Sequence, residues 1–167
     1  AHEIGRADTV AEQGFDLVIL NSVVQYFHSL TYLLDVLRQA QALLAPGGHI
    51  FVGDVRHHGL MEAFHADVLA RRSGPGLPPP EARERLRAAV AQDKELLVAP
   101  AWFWSLPAEL PALGRVAVRC KRGRVRSELL DYRYDVVLES GPPVAPPALL
   151  WHDWRRGGLE LTMLGDW

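Results

Sequence analysis

An α/β fold built on a parallel pair of strands is the class this sequence predicts, and three observations predict it. Phe15 to Leu20 (FDLVIL) is a short apolar run rich in branched residues, as a buried strand requires. A stretch with helical spacing follows it. His49 to Gly53 (HIFVG) is a second short apolar run. Strand, helix, turn and strand make a βαβ unit, whose crossover is right-handed and whose strands lie parallel under cover on both faces.

Each element has its own signals. Gln13-Gly14 set off the first strand. Ser29 is placed to cap a helix that the spacing carries to about Ala45, with Leu30, Leu33, Leu34, Leu37, Gln41 and Leu44 on one face. Pro46-Gly47-Gly48 stops that helix, because proline lacks a donor and glycine tolerates left-handed geometry. A further helix is predicted from about Gly59 to Arg71, and SGPGLPPP (73–80) is a loop by its glycine and proline content. Glu81 to Leu97 reads as an amphipathic helix with Leu86, Val90 and Leu97 toward the body. Pro100 to Leu106 (PAWFWSL) suits a short aromatic helix, in which Trp102 and Trp104 flank Phe103 as core rather than as a ligand cage.

Two strands follow. Arg115 to Lys121 alternates, with Val116, Val118 and Cys120 inward, and Tyr132 to Glu139 (YRYDVVLE) is more continuous and more central. Gly123 supplies the turn and residues 124–130 a long connection. The domain is expected over residues 1–140. Residues 141–167 are expected to form a linker (GPPVAPP) and a short tail with one helix near Glu160.

Composition narrows the function. The 167 residues are 49% hydrophobic and 23% charged, which is globular composition. A net charge of -2 and a pI near 6.4 argue against nucleic acid as a partner. The single cysteine, Cys120, excludes an internal disulfide and a multi-cysteine zinc site. It fits a reducing compartment, and a cytoplasmic location is expected. No apolar run approaches the roughly 20 residues of a membrane span, so no membrane partner is expected. The sequence has no signal-peptide pattern, lacks an initiator Met and starts in mid-pattern. It is expected to be a piece of something longer.

In open α/β sheets, ligands sit outside the carboxyl ends of the strands. Those ends are Asn21-Ser22 and Asp54-Val55-Arg56. A small polar cofactor could lie in that crevice. The bland alternative has Asn21 capping a turn and Asp54 paired with Arg56.

Residues 15–27 (FDLVILNSVVQYF) resemble the fourth-strand motif of class I S-adenosylmethionine-dependent methyltransferases, and residues 43–48 (LLAPGG) resemble their turn into the fifth strand. More narrowly, LNSVVQYF, FVGDVR, LMEAFHADV and RYDVVLE resemble the N-methyltransferase domains embedded in nonribosomal peptide synthetases. The resemblance runs from about Arg6 to Asp153. It implies a Rossmann-like class I methyltransferase fold, here the C-terminal portion of the sheet, strands four to seven, ending in an antiparallel pair. It implies S-adenosylmethionine as cofactor and the amino group of a carrier-bound aminoacyl thioester as methyl acceptor. The implied partners are a phosphopantetheinyl carrier-protein domain and adjacent synthetase domains.

The same resemblance implies cofactor contacts. Asp8 matches the position whose acidic side chain meets the adenine amino group. Asn21 and Ser22 match the segment lining the cofactor, and Gln25-Tyr26 begin the next helix beside it. The glycine-rich loop and the ribose-binding acid of such enzymes precede the third strand, near which this chain begins. The stretch by itself is therefore expected to lack independent activity.

Methyl transfer from a sulfonium to an amine is an in-line displacement, in which alignment can supply about 7–11 kcal/mol. An α-amino group titrates at about 7.7–8.0, so a modest base suffices. Asp54 is the best-placed carboxylate. His65 and Glu62, three apart on one helix, form either an acid–base pair or a solvent-facing one. Tyr26 could direct the amine through its hydroxyl, shield the sulfonium with its ring, or simply pack. A metal held by His57, His58, His65 and Asp54 is not expected, because adjacent residues rarely point at one ion and this reaction needs none. Arg115 to Arg126 is either a solvated strand edge and loop or a dock for an acidic carrier domain or its phosphate. The other readings of the chain are a catalytically inactive structural or docking module, or a methyltransferase-like epimerase, within a synthetase.

Overall fold

The computed structural model describes residues 14–74 and 76–142. The expectations for Asp8 and for residues 143–167 lie outside the described residues. The elements are β1 (Phe15–Asn21), α1 (Leu30–Ala42), β2 (Leu44–Arg56), α2 (Met61–Ser73), α3 (Pro79–Gln92), α4 (Pro100–Glu109), β3 (Leu113–Cys120), α5 (Glu128–Asp131) and β4 (Arg133–Ser140). They build one four-stranded sheet in the order β1-β2-β4-β3. β1 and β2 run parallel, and β4 is antiparallel to both β2 and β3. The βαβ unit, the central place of β4 and the antiparallel pair at the end of the sheet are all as expected for strands four to seven.

The core follows the apolar spacing. Leu33, Val36, Leu37 and Ala40 of α1 are buried together with Ile50 and Val52 of β2. Val136 and Leu138 of β4, Phe103 and Leu106 of α4 and Leu113 of β3 complete it. Ser29 caps α1, its hydroxyl accepting the Tyr32 N–H at 3.1 Å. Such a cap is worth about 1 kcal/mol.

The structure corrects several boundaries. α1 ends at Ala42, and Pro46-Gly47-Gly48 lies inside β2 as a bulge, where the register passes from Phe15↔Leu44 to Leu17↔His49. Gly47 takes φ +78° there. A Cβ on Gly48 would stand 2.8 Å from the Phe15 carbonyl oxygen and 2.9 Å from that of Ala45. Neither oxygen belongs to a flexible side chain. Gly48→Ala should therefore cost about 1–3 kcal/mol, read as a lower urea midpoint at unchanged m-value. α3 stops at Gln92, so Leu97 lies in an extended segment instead. The Leu96 N–H bonds the Gln25 carbonyl at 2.8 Å and the Val98 N–H bonds that of Arg56 at 3.0 Å, which buries Val98.

α4 runs past Leu106 to Glu109. Its Phe103 is fully buried and Trp102 packs on the core, whereas Trp104 is exposed. Cys120 ends the outermost strand and is exposed rather than inward. Among the described residues no helix is long and apolar enough to cross a membrane.

Candidate functional site

β1 ends at Asn21, opposite Gly53 of β2, which runs on to Arg56. The residue after each of this pair takes left-handed backbone geometry without being glycine, Ser22 at φ 57° and Asp54 at φ 60°. Such residues cost about 1–3 kcal/mol each and persist where their surroundings hold them. Asp54 does not lie past the strand, as expected, but inside β2. The β2–β4 register shifts between Val52↔Val136 and Val55↔Tyr134. Gly53 and Asp54 thus stand against Asp135 alone, and this bulge re-aims the Asp54 side chain.

The carboxylate is held on both oxygens. Oδ1 lies 2.6 Å from Lys121 Nζ, and Oδ2 accepts the Ser22 hydroxyl. Lys121 Nζ is also 2.9 Å from Asp135 Oδ1, which accepts the Asp54 backbone N–H at 3.0 Å. Asn21 Nδ2 donates to Ser22 Oγ at 3.3 Å. Burial pushes the Asp54 carboxyl pKa up, but the hydrogen bonds from Lys121 and Ser22, with the charges of Lys121 and Arg133, bring it below the ordinary value. Lys121 is affected in the reciprocal sense: burial lowers its pKa, and the two aspartates raise it above the ordinary lysine value.

The expected Asp54–Arg56 pair does not form. The register shift turns the two side chains to different partners. Arg56 bonds Asp93 at 2.8 Å and Glu95 at 3.1 Å, with Phe64 beneath its guanidinium. His65 Nε2 lies 2.9 Å from Asp93 Oδ2. His65 is therefore engaged by Asp93 and not by Glu62, which is exposed. Burial raises the Asp93 pKa, but Arg56, the Glu95 N–H and His65 outweigh it and bring it to about 2.

Gln25 and Tyr26 do not begin a helix. They sit in a single 3-10 turn, Val24–Tyr26, separate from α1. Gln25 is buried, and its Nε2 donates to the Ser22 carbonyl at 3.0 Å. Its Oε1 is buried without a partner among the described residues. Tyr26 is 74% exposed.

Asn21, Ser22, Gln25 and Asp54 are thus brought into one hydrogen-bonded group, with Tyr26 adjacent in the chain and His65 in the neighbouring Arg56–Asp93 cluster. Sequence reasoning missed Lys121, Asp135, Asp93 and Glu95. A charged residue inside the apolar run YRYDVVLE was the one available signal for Asp135. Lys121 was hidden within a basic run, of which Arg115, Arg119, Arg122 and Arg124 are exposed. Among the described residues no group of three or more His, Cys, Asp or Glu is placed to hold a metal ion.

No protein-family model matches the chain. Chondramide synthase cmdD of Chondromyces crocatus is 42% identical over 154 residues, 92% of this chain and 4% of that protein. The nonribosomal peptide synthetase asqK of Emericella nidulans is 39% identical over 174 aligned positions, 99% of this chain and 7% of that protein. The chain therefore spans only a small part of the curated relatives it matches. Among solved structures, an O-methyltransferase family protein from Burkholderia thailandensis is 18% identical at a TM-score of 0.46, covering 84% of this chain and 34% of that one. By its sequence, the chain is a homologue of one short segment of nonribosomal peptide synthetases.

Proposed function

We propose that the chain is part of an S-adenosylmethionine-dependent N-methyltransferase that methylates the amino group of a carrier-bound aminoacyl thioester during nonribosomal peptide synthesis. The observation that carries this reading is the Asp54 carboxylate, held by Ser22 and Lys121 beside the carboxyl end of β1. The homologous synthetase segments and the NSVVQYF and GDVR motifs support it.

The residues present suit a cationic cofactor. Asp54 and Asp135 share Lys121, and Arg133, whose charge also bears on Asp54, is paired with Glu128, which leaves this group of five side chains with a net negative charge that favours a sulfonium. S-adenosylmethionine supplies the electrophilic methyl carbon when bound. Asn21, Ser22 and Gln25 would line it, with Asp8 at the adenine. Asp54 remains ionised at neutral pH and accepts a hydrogen bond from the incoming amine, turning its lone pair toward the methyl carbon. With its pKa below the ordinary carboxylate value, the carboxylate serves better as an aligning acceptor than as a strong base. Tyr26, exposed in the adjoining turn, would stand beside the cofactor. His65 stands with Asp93 and Arg56 in a separate cluster. The exposed Arg115, Arg119, Arg122 and Arg124 offer positive charge to an acidic carrier domain or its phosphate.

The test uses the full-length protein that carries this segment, its carrier domain loaded with an amino acid and supplied with S-adenosylmethionine. A methyl group should appear on the α-nitrogen. Exchange of the α-hydrogen with deuterated solvent, without methylation, would mark an epimerase instead. Neither reaction would mark an inactive module.

A further inference from the structure

Lys121 is the residue directly after β3, and its place is unlike that of the arginines around it. Its side chain is 17% exposed, and its ammonium lies between two carboxylates, 2.6 Å from Asp54 Oδ1 and 2.9 Å from Asp135 Oδ1. We propose that Lys121 is the positioning residue of Asp54, fixing the direction and the charge of the carboxylate that receives the substrate amine. This rests on the methyltransferase reading above.

Direction comes first. A carboxylate turns easily about its last bond unless both oxygens are engaged. Here Ser22 holds Oδ2 and Lys121 holds Oδ1, so the remaining lone pairs point along fixed lines. Asp135 completes the clamp. It steadies the lysine from the far side and takes the Asp54 backbone N–H, holding the left-handed residue in place.

Charge comes second. Asp54 is a buried residue, and burial by itself favours the protonated acid. A hydroxyl such as that of Ser22 can donate to a carboxylate or accept from a carboxylic acid. An ammonium can only donate, so Lys121 is the partner that commits Asp54 to the ionised form. The other charged groups bearing on Asp54 are Asp135 and Arg133, both of β4. The Lys121 ammonium is engaged by Asp54 and Asp135, so its effect on the amine runs through Asp54.

The experiment is methyl transfer by the full-length protein carrying the segment, as a function of pH. Lys121→Met should slow transfer about tenfold at neutral pH, the scale of one charge-assisted hydrogen bond. It should leave the KM for S-adenosylmethionine within about twofold of wild type. The acid side carries two breaks, that of the amine at about 7.7–8.0 and that of Asp54 below it. In Lys121→Met the lower one, the acidic limb set by Asp54, should move to higher pH, because Asp54 loses the partner that keeps it ionised. Lys121→Arg should restore both rate and limb. The double variant Asp54→Asn with Lys121→Met should be no slower than Asp54→Asn alone.

Additive losses in the double variant, or an unmoved acidic limb, would overturn the proposal. Should Lys121→Met fail to fold, Lys121→Gln, which keeps a donor and drops the charge, must still move the limb. If the wild-type protein transfers no methyl group, the methyltransferase reading falls and this inference with it. If transfer occurs and the limb stays, this inference falls alone.

Discussion

Asp54→Asn should slow methyl transfer by roughly ten- to hundredfold, the loss of a charged hydrogen bond worth about 1.5–3 kcal/mol. The substitution keeps the shape of the side chain and removes its charge. The Ser22 hydroxyl and the amine must then share a weaker acceptor, and the Lys121 ammonium turns wholly to Asp135. The loss belongs in the transfer step rather than in cofactor affinity, because the bond to the amine matters most as its lone pair is aligned. Single-turnover methylation of a loaded carrier domain separates the two. A competing expectation came from sequence alone, an Asp54–Arg56 pair whose two variants would lower stability by similar small amounts and leave the rate alone. The structure assigns the residues to different clusters, so Asp54 variants should move the rate and Arg56 variants the stability. A rate within about threefold of wild type, a loss under 1 kcal/mol, would remove Asp54 from the chemistry.

The fold was legible where local pattern and tertiary need agree. FDLVIL and HIFVG became parallel strands, and Ser29 became the cap of α1, because an apolar run and a short hydroxyl act on neighbouring backbone. The run YRYDVVLE took the central place that its continuity predicted. Pattern failed where long-range geometry decides. Leu44 fits the spacing of a helix face, yet the close approach of Gly48 to Phe15 draws the chain into β2 before Pro46. Nothing in GDVR announces a bulge, since the shift depends on how β4 pairs with β2. The site was legible only in part for the same reason. Asn21 and Ser22 stand at the end of β1 and Asp54 in the neighbouring strand just past Gly53, where topology alone puts them near one another. Lys121 and Asp135 reach them from the antiparallel pair at the other side of the sheet. Arg56 was paired with its neighbour because i, i+2 residues share a face in a regular strand. Its true partners lie 37 and 39 residues away, in the segment after α3.

Arg56→Met should destabilise the chain by about 3–5 kcal/mol, a large share of the stability of an ordinary domain. The side chains of Arg56 and Asp93 are only 7% and 6% exposed, so removing the guanidinium strands a buried carboxylate. His65 and the Glu95 N–H remain to it, and neither replaces two charged donors at 2.8–2.9 Å. Acid should show the same dependence. The Asp93 pKa is depressed from 3.8 to about 2 in the folded chain. Its contribution is therefore complete above the unfolded value and is lost as pH falls through about 2. At about 1.36 kcal/mol per pKa unit, that contribution is roughly 2 kcal/mol. Arg56→Met removes the largest favourable cause of the depression, so the variant should lose less stability than wild type between about pH 4 and pH 2. Urea unfolding along a pH series measures both effects. Replacing the pair together, Arg56→Met with Asp93→Leu, should recover most of the loss, because a buried pair exchanged for apolar side chains is often neutral. A single-variant loss under about 1 kcal/mol, with an unchanged acid slope, would show that the pair is solvated and carries no such weight.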